Sequence, residues 1–178
     1  MTQKIVVEDL FAEDIVKEIN IGLEKAYAEE KITPNLETEL NDVYQQHQTA
    51  KIQASEKTNN IRFVDAISQG LSHSMEKHDD LVIMGQDVAD YGGVFKITDG
   101  FAEKFGKERV RNTPICESAI VSAAYGLSVN GMKAVVEMQF ADFVSSGFNP
   151  IINLLAKSHY RWNQNADVVI RMPCGAGV

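Results

Sequence analysis

A chain of 178 residues with 44% hydrophobic and 24% charged side chains has the make-up of an ordinary globular protein, one domain or one domain plus an appendage. Its 17 Lys+Arg against 25 Asp+Glu leave a net charge of −8, which argues against a nucleic-acid binder that works by neutralising phosphates. No apolar run reaches the roughly 18 residues of a membrane span and MTQKIVVEDLFAED is no secretory leader, so no membrane and a cytoplasmic location are expected; Cys116 and Cys174, without a Cys-x-x-Cys, read as two reduced thiols.

Charge divides the chain. Residues 1–58 hold 6 Lys and 12 Asp+Glu, a balance of −6, whereas the remaining residues are close to neutral. Within the acidic segment Phe11, Ile15, Ile19 and Leu23 recur every fourth position, which predicts an amphipathic helix over residues 8–29. One helix followed by Thr33-Pro34 and a short acidic stretch cannot bury its own stripe. Residues 1–49 are therefore expected to be a helical extension that docks elsewhere, or else a helix lying on the second part of the same chain. Between Gln45 and Asn60 Ile52 is the one large aliphatic side chain, and residues 50–60 read as a linker.

The remainder, 61–178, alternates between two periods. Phe63, Ile67, Leu71 and Met75 predict a helix, Leu81 to Gly85 a buried strand, and Phe101 to Phe105 a helical turn closed by Gly106. Arg109-Val110-Arg111 predicts a short strand running into Asn112-Thr113-Pro114, read as the start of a small-residue helix from Ile115 to Val129. Ala134 to Met138 is another strand, Ala141 to Trp162 a long helical stretch bent or restarted at Pro150, and Val168 to Ile170 a last strand. Strands separated by helices predict an α/β fold, an open and mostly parallel sheet with helices on both faces.

Ligands of such sheets sit beyond the carboxyl ends of the strands, which directs attention to Gln86 and Asp87, Asn112 to Glu117, Gln139 to Phe143 and Pro173 to Gly177. Glu117 is the most informative of these. It stands in the first turn of a helix otherwise built from Ser118, Ala119, Ile120, Val121, Ser122 and Ala123, where a carboxylate is out of character. It could exchange a proton with a ligand's ring nitrogen, or it could simply cap the helix and complement its dipole.

Several pieces occur together and in order: Gly85-Gln86-Asp87-Val88-Ala89, Gly92-Gly93-Val94-Phe95, Asn112-Thr113-Pro114-Ile115-Cys116-Glu117, Gln139-Phe140-Ala141-Asp142-Phe143 and Arg171-Met172-Pro173-x-Gly175. Over about residues 60–178 they resemble the beta-type half of the thiamine-diphosphate-dependent decarboxylating component of 2-oxo acid dehydrogenase complexes, and they look closer to its branched-chain members than to its pyruvate members. Residues 1–49, with Glu39 to Tyr44, resemble the end of the alpha-type half, which suggests a fused chain.

The resemblance implies a pyrimidine-binding domain in which Glu117 hydrogen-bonds the ring nitrogen of thiamine diphosphate. Ile115, Gln139 and Phe143 are implied to line the same pocket. The cofactor then serves as its own base, attacks the keto carbon of the 2-oxo acid and takes up the electrons left by carbon dioxide, and the acyl group passes to a lipoyl group on a partner acyltransferase core. No Gly-Asp-Gly with a distant Asn appears, so magnesium is implied to be held by the alpha-type half and by no residue here. The implied partners are that half and the acyltransferase core, in an oligomer. Family members continue past Cys174-Gly175-Ala176-Gly177-Val178 toward a catalytic histidine, a role for which His47, His73, His78 and His159 are poorly placed; the chain is thus expected to be a fragment, inactive alone. Gln86 departs from the family, which often has Glu there. A transketolase-like enzyme and a non-catalytic α/β binding module are the alternatives.

Overall fold

The computed structural model describes residues 2–175, with side chains from residue 11 onward. It separates into two compact units, residues 1–39 and 40–178. The first unit holds α1 (Thr2–Ala28), which begins earlier than its apolar spacing predicts. The stripe of Phe11, Ile15, Ile19 and Leu23 is exposed. A second helix, α2 (Leu36–Asp42), starts where the side chain of Asn35 accepts the N–H groups of Glu37 and Thr38, so an asparagine at the cap satisfies two donors that the helix itself cannot. Residues 43–62 contain neither helix nor strand. No helix among the described residues is long and apolar enough to cross a membrane.

The rest of the chain is the α/β layer read from the sequence. α3 (Phe63–Lys77) leads to β1 (Leu81–Gly85); α4 (Phe101–Phe105) leads to β2 (Val110–Asn112); α5 (Glu117–Val129) leads to β3 (Lys133–Glu137). Two short helices, α6 (Phe148–Asn153) and α7 (Ser158–Trp162), then precede β4 (Val168–Arg171). Among the described residues the strands form one parallel sheet in the order β2-β1-β3-β4.

Strand alternation sorts the core. Leu81, Ile83, Val110 and Val135 face one side and pack with Met75 of α3 and Phe101 and Ala102 of α4. Met84, Ala134 and Val136 face the other and pack with Ile120 and Ala124 of α5. Both faces of the sheet are covered, which is why the strands read as continuous apolar runs. At the amino-terminal edge Arg109 donates to the carbonyls of Met75, His78 and Leu81, so one guanidinium satisfies the orphan carbonyls at the end of α3 and locks that helix to β1.

Two expectations are corrected. Asn112-Thr113-Pro114 does not open a helix: Asn112 ends β2, the Thr113 N–H donates to the Gly85 carbonyl, and α5 starts at Glu117 with Cys116 before it. A residue preceding proline is pushed out of the helical region, and here it extends the sheet pairing instead. The long helix from Ala141 to Trp162 is a chain of short pieces, a 3-10 helix over Ala141–Gly147, then α6, a 3-10 turn over Leu155–Lys157, and α7. Pro150 lies in the first turn of α6, where a missing N–H costs nothing. The break falls at Leu154, whose φ of −109° and ψ of −71° depart from regular helical values. A 3-10 turn over Val94–Lys96 has no counterpart in the sequence reading.

The pairing of β1 with β3 requires Gly85, because a Cβ there would lie 2.7 Å from the Glu137 carbonyl oxygen and 3.0 Å from the Glu137 Cβ. Gly85→Ala must push the two strands apart and is expected to lower unfolding stability by about 1–3 kcal/mol in urea titration; a change below about 0.5 kcal/mol would show that the strands yield freely.

Candidate functional site

The four strands end at one level. Gly85 pairs with Asn112 on one side and Glu137 on the other, and Glu137 pairs with Arg171. From β1 the chain turns toward β2 and from β3 toward β4, on opposite sides of the β1–β3 pair. This is the switch point of the sheet, where a crevice opens outside the carboxyl ends. The residues after β1 and β3 and the first turn of α5 meet here.

Glu117 is the first residue of α5 and only 9% exposed. Its carboxylate does not cap the helix: Oε1 accepts Nε2 of Gln86, itself 5% exposed, at 3.4 Å. Among the described residues the Glu117 carboxylate makes no other hydrogen bond. The carboxyl thus has one long bond within the protein and one oxygen with no protein partner, which is open to a ligand or to water. The 3-10 helix Ala141–Gly147 is held against this turn by Gly147, where a Cβ would lie 2.7 Å from Met138 Cε and 3.5 Å from the Glu117 carbonyl oxygen.

Of the other predicted lining residues, Gln139 is half-buried and donates to Asp87 Oδ2 at 3.5 Å, across the switch point. Phe143 stacks edge-on against Phe140, with ring centroids 5.7 Å apart. Ile115, two residues before Glu117, is 81% exposed. The structure therefore joins Glu117 to Gln86 and Gln139 to Asp87, and leaves Ile115 and Phe143 on the open rim. A cavity of about 210 Å³ at the same edge is lined by Phe95, Phe140, Ala141, Asp142, Pro173 and Cys174 with Gly175. Of the segment Pro173 to Gly177, Ala176 and Gly177 lie outside the described residues.

Sequence reading missed Glu137 and Arg171. Glu137 is 2% exposed, and its Oε2 accepts both Nε and Nη2 of Arg171. Its Oε1 accepts the Val94 N–H at 3.1 Å. The available hint was a carboxylate ending an apolar strand, matched by an arginine ending the next.

A buried carboxyl at a helix start, a second amide across the crevice and an apolar rim form a donor set suited to a flat heteroaromatic ring that carries a basic nitrogen. The profile of the transketolase pyrimidine-binding domain matches residues 59–178. The chain belongs to that family, and its beta-type likeness is borne out by relatives. It is 43% identical over 120 residues to the 2-oxoisovalerate dehydrogenase subunit beta of Bacillus subtilis (strain 168), a match covering 66% of this chain and 37% of that protein. It is 36% identical over 141 residues to the protein of that name from Pseudomonas aeruginosa, covering 78% of this chain and 39% of the relative. It is also 38% identical over 120 residues to the pyruvate dehydrogenase E1 component subunit beta of Acholeplasma laidlawii, covering 66% of this chain and 37% of that protein. The chain spans less than two fifths of the length of these relatives.

Proposed function

We propose that this chain supplies the aminopyrimidine side of a thiamine diphosphate site in the decarboxylating component of a 2-oxo acid dehydrogenase, with a branched-chain 2-oxo acid as substrate. The observation that carries the reading is the placement of Glu117, a carboxyl buried at the switch point with one oxygen left for a ligand. Thiamine diphosphate supplies an electron sink for loss of carbon dioxide. Glu117 holds and exchanges a proton at the pyrimidine nitrogen. Gln86 fixes one carboxylate oxygen so that the other is presented to the ring. Gln139, Ile115 and Phe143 bound the ring's place, the first by its amide and the others by apolar contact. The exposure of Ile115 fits a pocket completed by a second surface.

In this reading residues 1–49 are the end of an alpha-type half and 50–60 a linker to the domain that begins at residue 61. The alpha-type half holds magnesium and the diphosphate, a lipoyl acyltransferase core accepts the acyl group, and the assembly is a cytoplasmic oligomer. The pieces Gly92-Gly93-Val94-Phe95 and Gln139-Phe140-Ala141-Asp142-Phe143 favour the branched-chain substrate over pyruvate.

Glu117→Gln in the assembled enzyme should lower turnover by roughly two to four orders of magnitude, the span of a positioned acid or base. Its unfolding midpoint should stay within a few degrees of the parent. Turnover within a factor of about three of the parent removes Glu117 from the mechanism.

The chain by itself should bind thiamine diphosphate weakly or not at all, since it offers the ring a place but the diphosphate none. Calorimetry with magnesium present checks this. Micromolar, magnesium-dependent binding would place a diphosphate site within these 178 residues.

A further inference from the structure

The segment from Gly92 to Lys96 crosses the carboxyl edge in a turn closed by the Lys96 N–H to the Gly93 carbonyl at 3.2 Å and by the Lys96 ammonium on the Tyr91 carbonyl. Phe95 and Lys96 have φ of 60° and 58°, and Gly92 and Gly93 have φ of 87° and 72°. Four consecutive or near-consecutive positive-φ residues, two of them with side chains, cost free energy that the surroundings must offset. Space is also short: a Cβ on Gly92 would lie 2.8 Å from Asp99 Cα, and one on Gly93 would lie 3.0 Å from Thr98 Oγ1 and 3.2 Å from Glu137 Oε1. The backbone is tied at its ends by Gly93 N–H to the Asp87 carbonyl and Thr98 N–H to the Gly92 carbonyl. In the middle, the Val94 N–H is held by the Glu137 carboxylate at 3.1 Å.

That carboxylate is 2% exposed, and its second oxygen is occupied by Arg171, whose side chain is 16% exposed. A buried ion pair gives little net stability against an apolar substitute, so its retention asks for another reason. Here the pair leaves Glu137 with one oxygen anchored to β4 and the other aimed at the strained segment. The next residue, Phe95, lines the carboxyl-edge cavity together with Phe140, Asp142 and Pro173.

We propose that Glu137, anchored by Arg171, is a positioning residue that holds the Gly92–Lys96 segment in place and so sets Phe95 as the wall of the cavity that receives the 2-oxo acid. The cavity's substrate rests on the function proposed above; the clamp itself does not. Arg171 and the Val94 N–H are held by different oxygens, and a glutamine at position 137 keeps one oxygen and puts an NH2 donor in place of the other, so it can serve Arg171 or the Val94 N–H but not both. Removing the arginine as well frees that oxygen for Val94.

The test compares Glu137→Gln with Glu137→Gln/Arg171→Met in two measurements. In hydrogen exchange on the full chain, Glu137→Gln should speed exchange over residues 93–98 by about tenfold or more, with β1 and α5 changed by less than about threefold, and the double variant should restore much of the protection. In the assembled enzyme Glu137→Gln should raise KM for the 2-oxo acid by about tenfold with kcat within about threefold, and the double variant should bring KM back. Exchange that rises evenly across the sheet, or a double variant no better than the single, overturns the clamp and leaves Glu137 a stabilising residue. Faster exchange in the segment with KM unchanged overturns the cavity wall. An assembled parent enzyme without 2-oxo acid turnover would instead sink the function proposed above, while exchange alone still decides the clamp.

Discussion

The register of one parallel sheet governs everything at its carboxyl edge. Because β2, β1, β3 and β4 end in the row Asn112, Gly85, Glu137 and Arg171, these four share a face. It is the face of Ile83 and Val135, over which α3 and α4 lie. Along that row Asn112 accepts the Ala89 N–H at 2.7 Å and Glu137 accepts the Val94 N–H, so both polar side chains pin the loop after β1. Gly85 between them has no side chain and lets β3 come close. One position further the parity reverses. Gln86 continues the side of Met84, the α5 side, and meets Glu117 there; Met138 continues the side of Val136 and is fully buried beneath Gly147. A shift of one residue in any strand would exchange these roles and dismantle both sets of contacts.

The edge therefore carries two carboxylates with opposite treatment. Glu137 is saturated: an arginine takes one oxygen and a backbone N–H the other. Glu117 has a long bond from Gln86 and the favourable field at the start of a 13-residue helix. Each of these helps, yet together they satisfy less than the carboxyl's full hydrogen-bonding capacity. A structural carboxylate at this depth would be bonded as Glu137 is. Under the proposed reading, the contrast separates a group that holds the framework from a group that the framework holds ready.

The sequence made the strands legible because both faces of the sheet are covered and Leu81 to Gly85 or Ala134 to Val136 has no polar interruption. Glu117 was legible for the same reason in reverse, as one charge in a helix of small and apolar side chains. Three features were not. Asn112-Thr113-Pro114 carries every local mark of a helix start, and only the pairing of Thr113 with Gly85 shows that the sheet claims it. The fragmented helix from Ala141 to Trp162 has helical spacing throughout, while its break at Leu154 and its close seat at Gly147 are set by what it packs on. The Glu137–Arg171 pair joins residues on different strands, and nothing local to either predicts that β3 and β4 will lie side by side in that register.

α5 ties the buried site to the outside of the domain. Its inner positions Ile120, Val121, Ala124 and Ser128 are buried against the sheet, whereas Ser118, Ala119, Ala123 and Gly126 are exposed. Small side chains on the outer face leave room for another backbone to approach closely, and they add little side-chain entropy loss when covered. Ile115, two residues before this helix, and Phe148 and Ile152 of α6 are large apolar residues that remain in solvent. A carboxyl group prepared for a ring nitrogen needs a dry environment to act strongly, because water competes for its proton and screens its field. The chain holds Glu117 with Gln86 but leaves Ile115, two residues before it, uncovered. Under the proposed reading, the surface that covers Ile115 is also the one that brings the diphosphate site, so binding of the cofactor and exclusion of water are completed by the same contact.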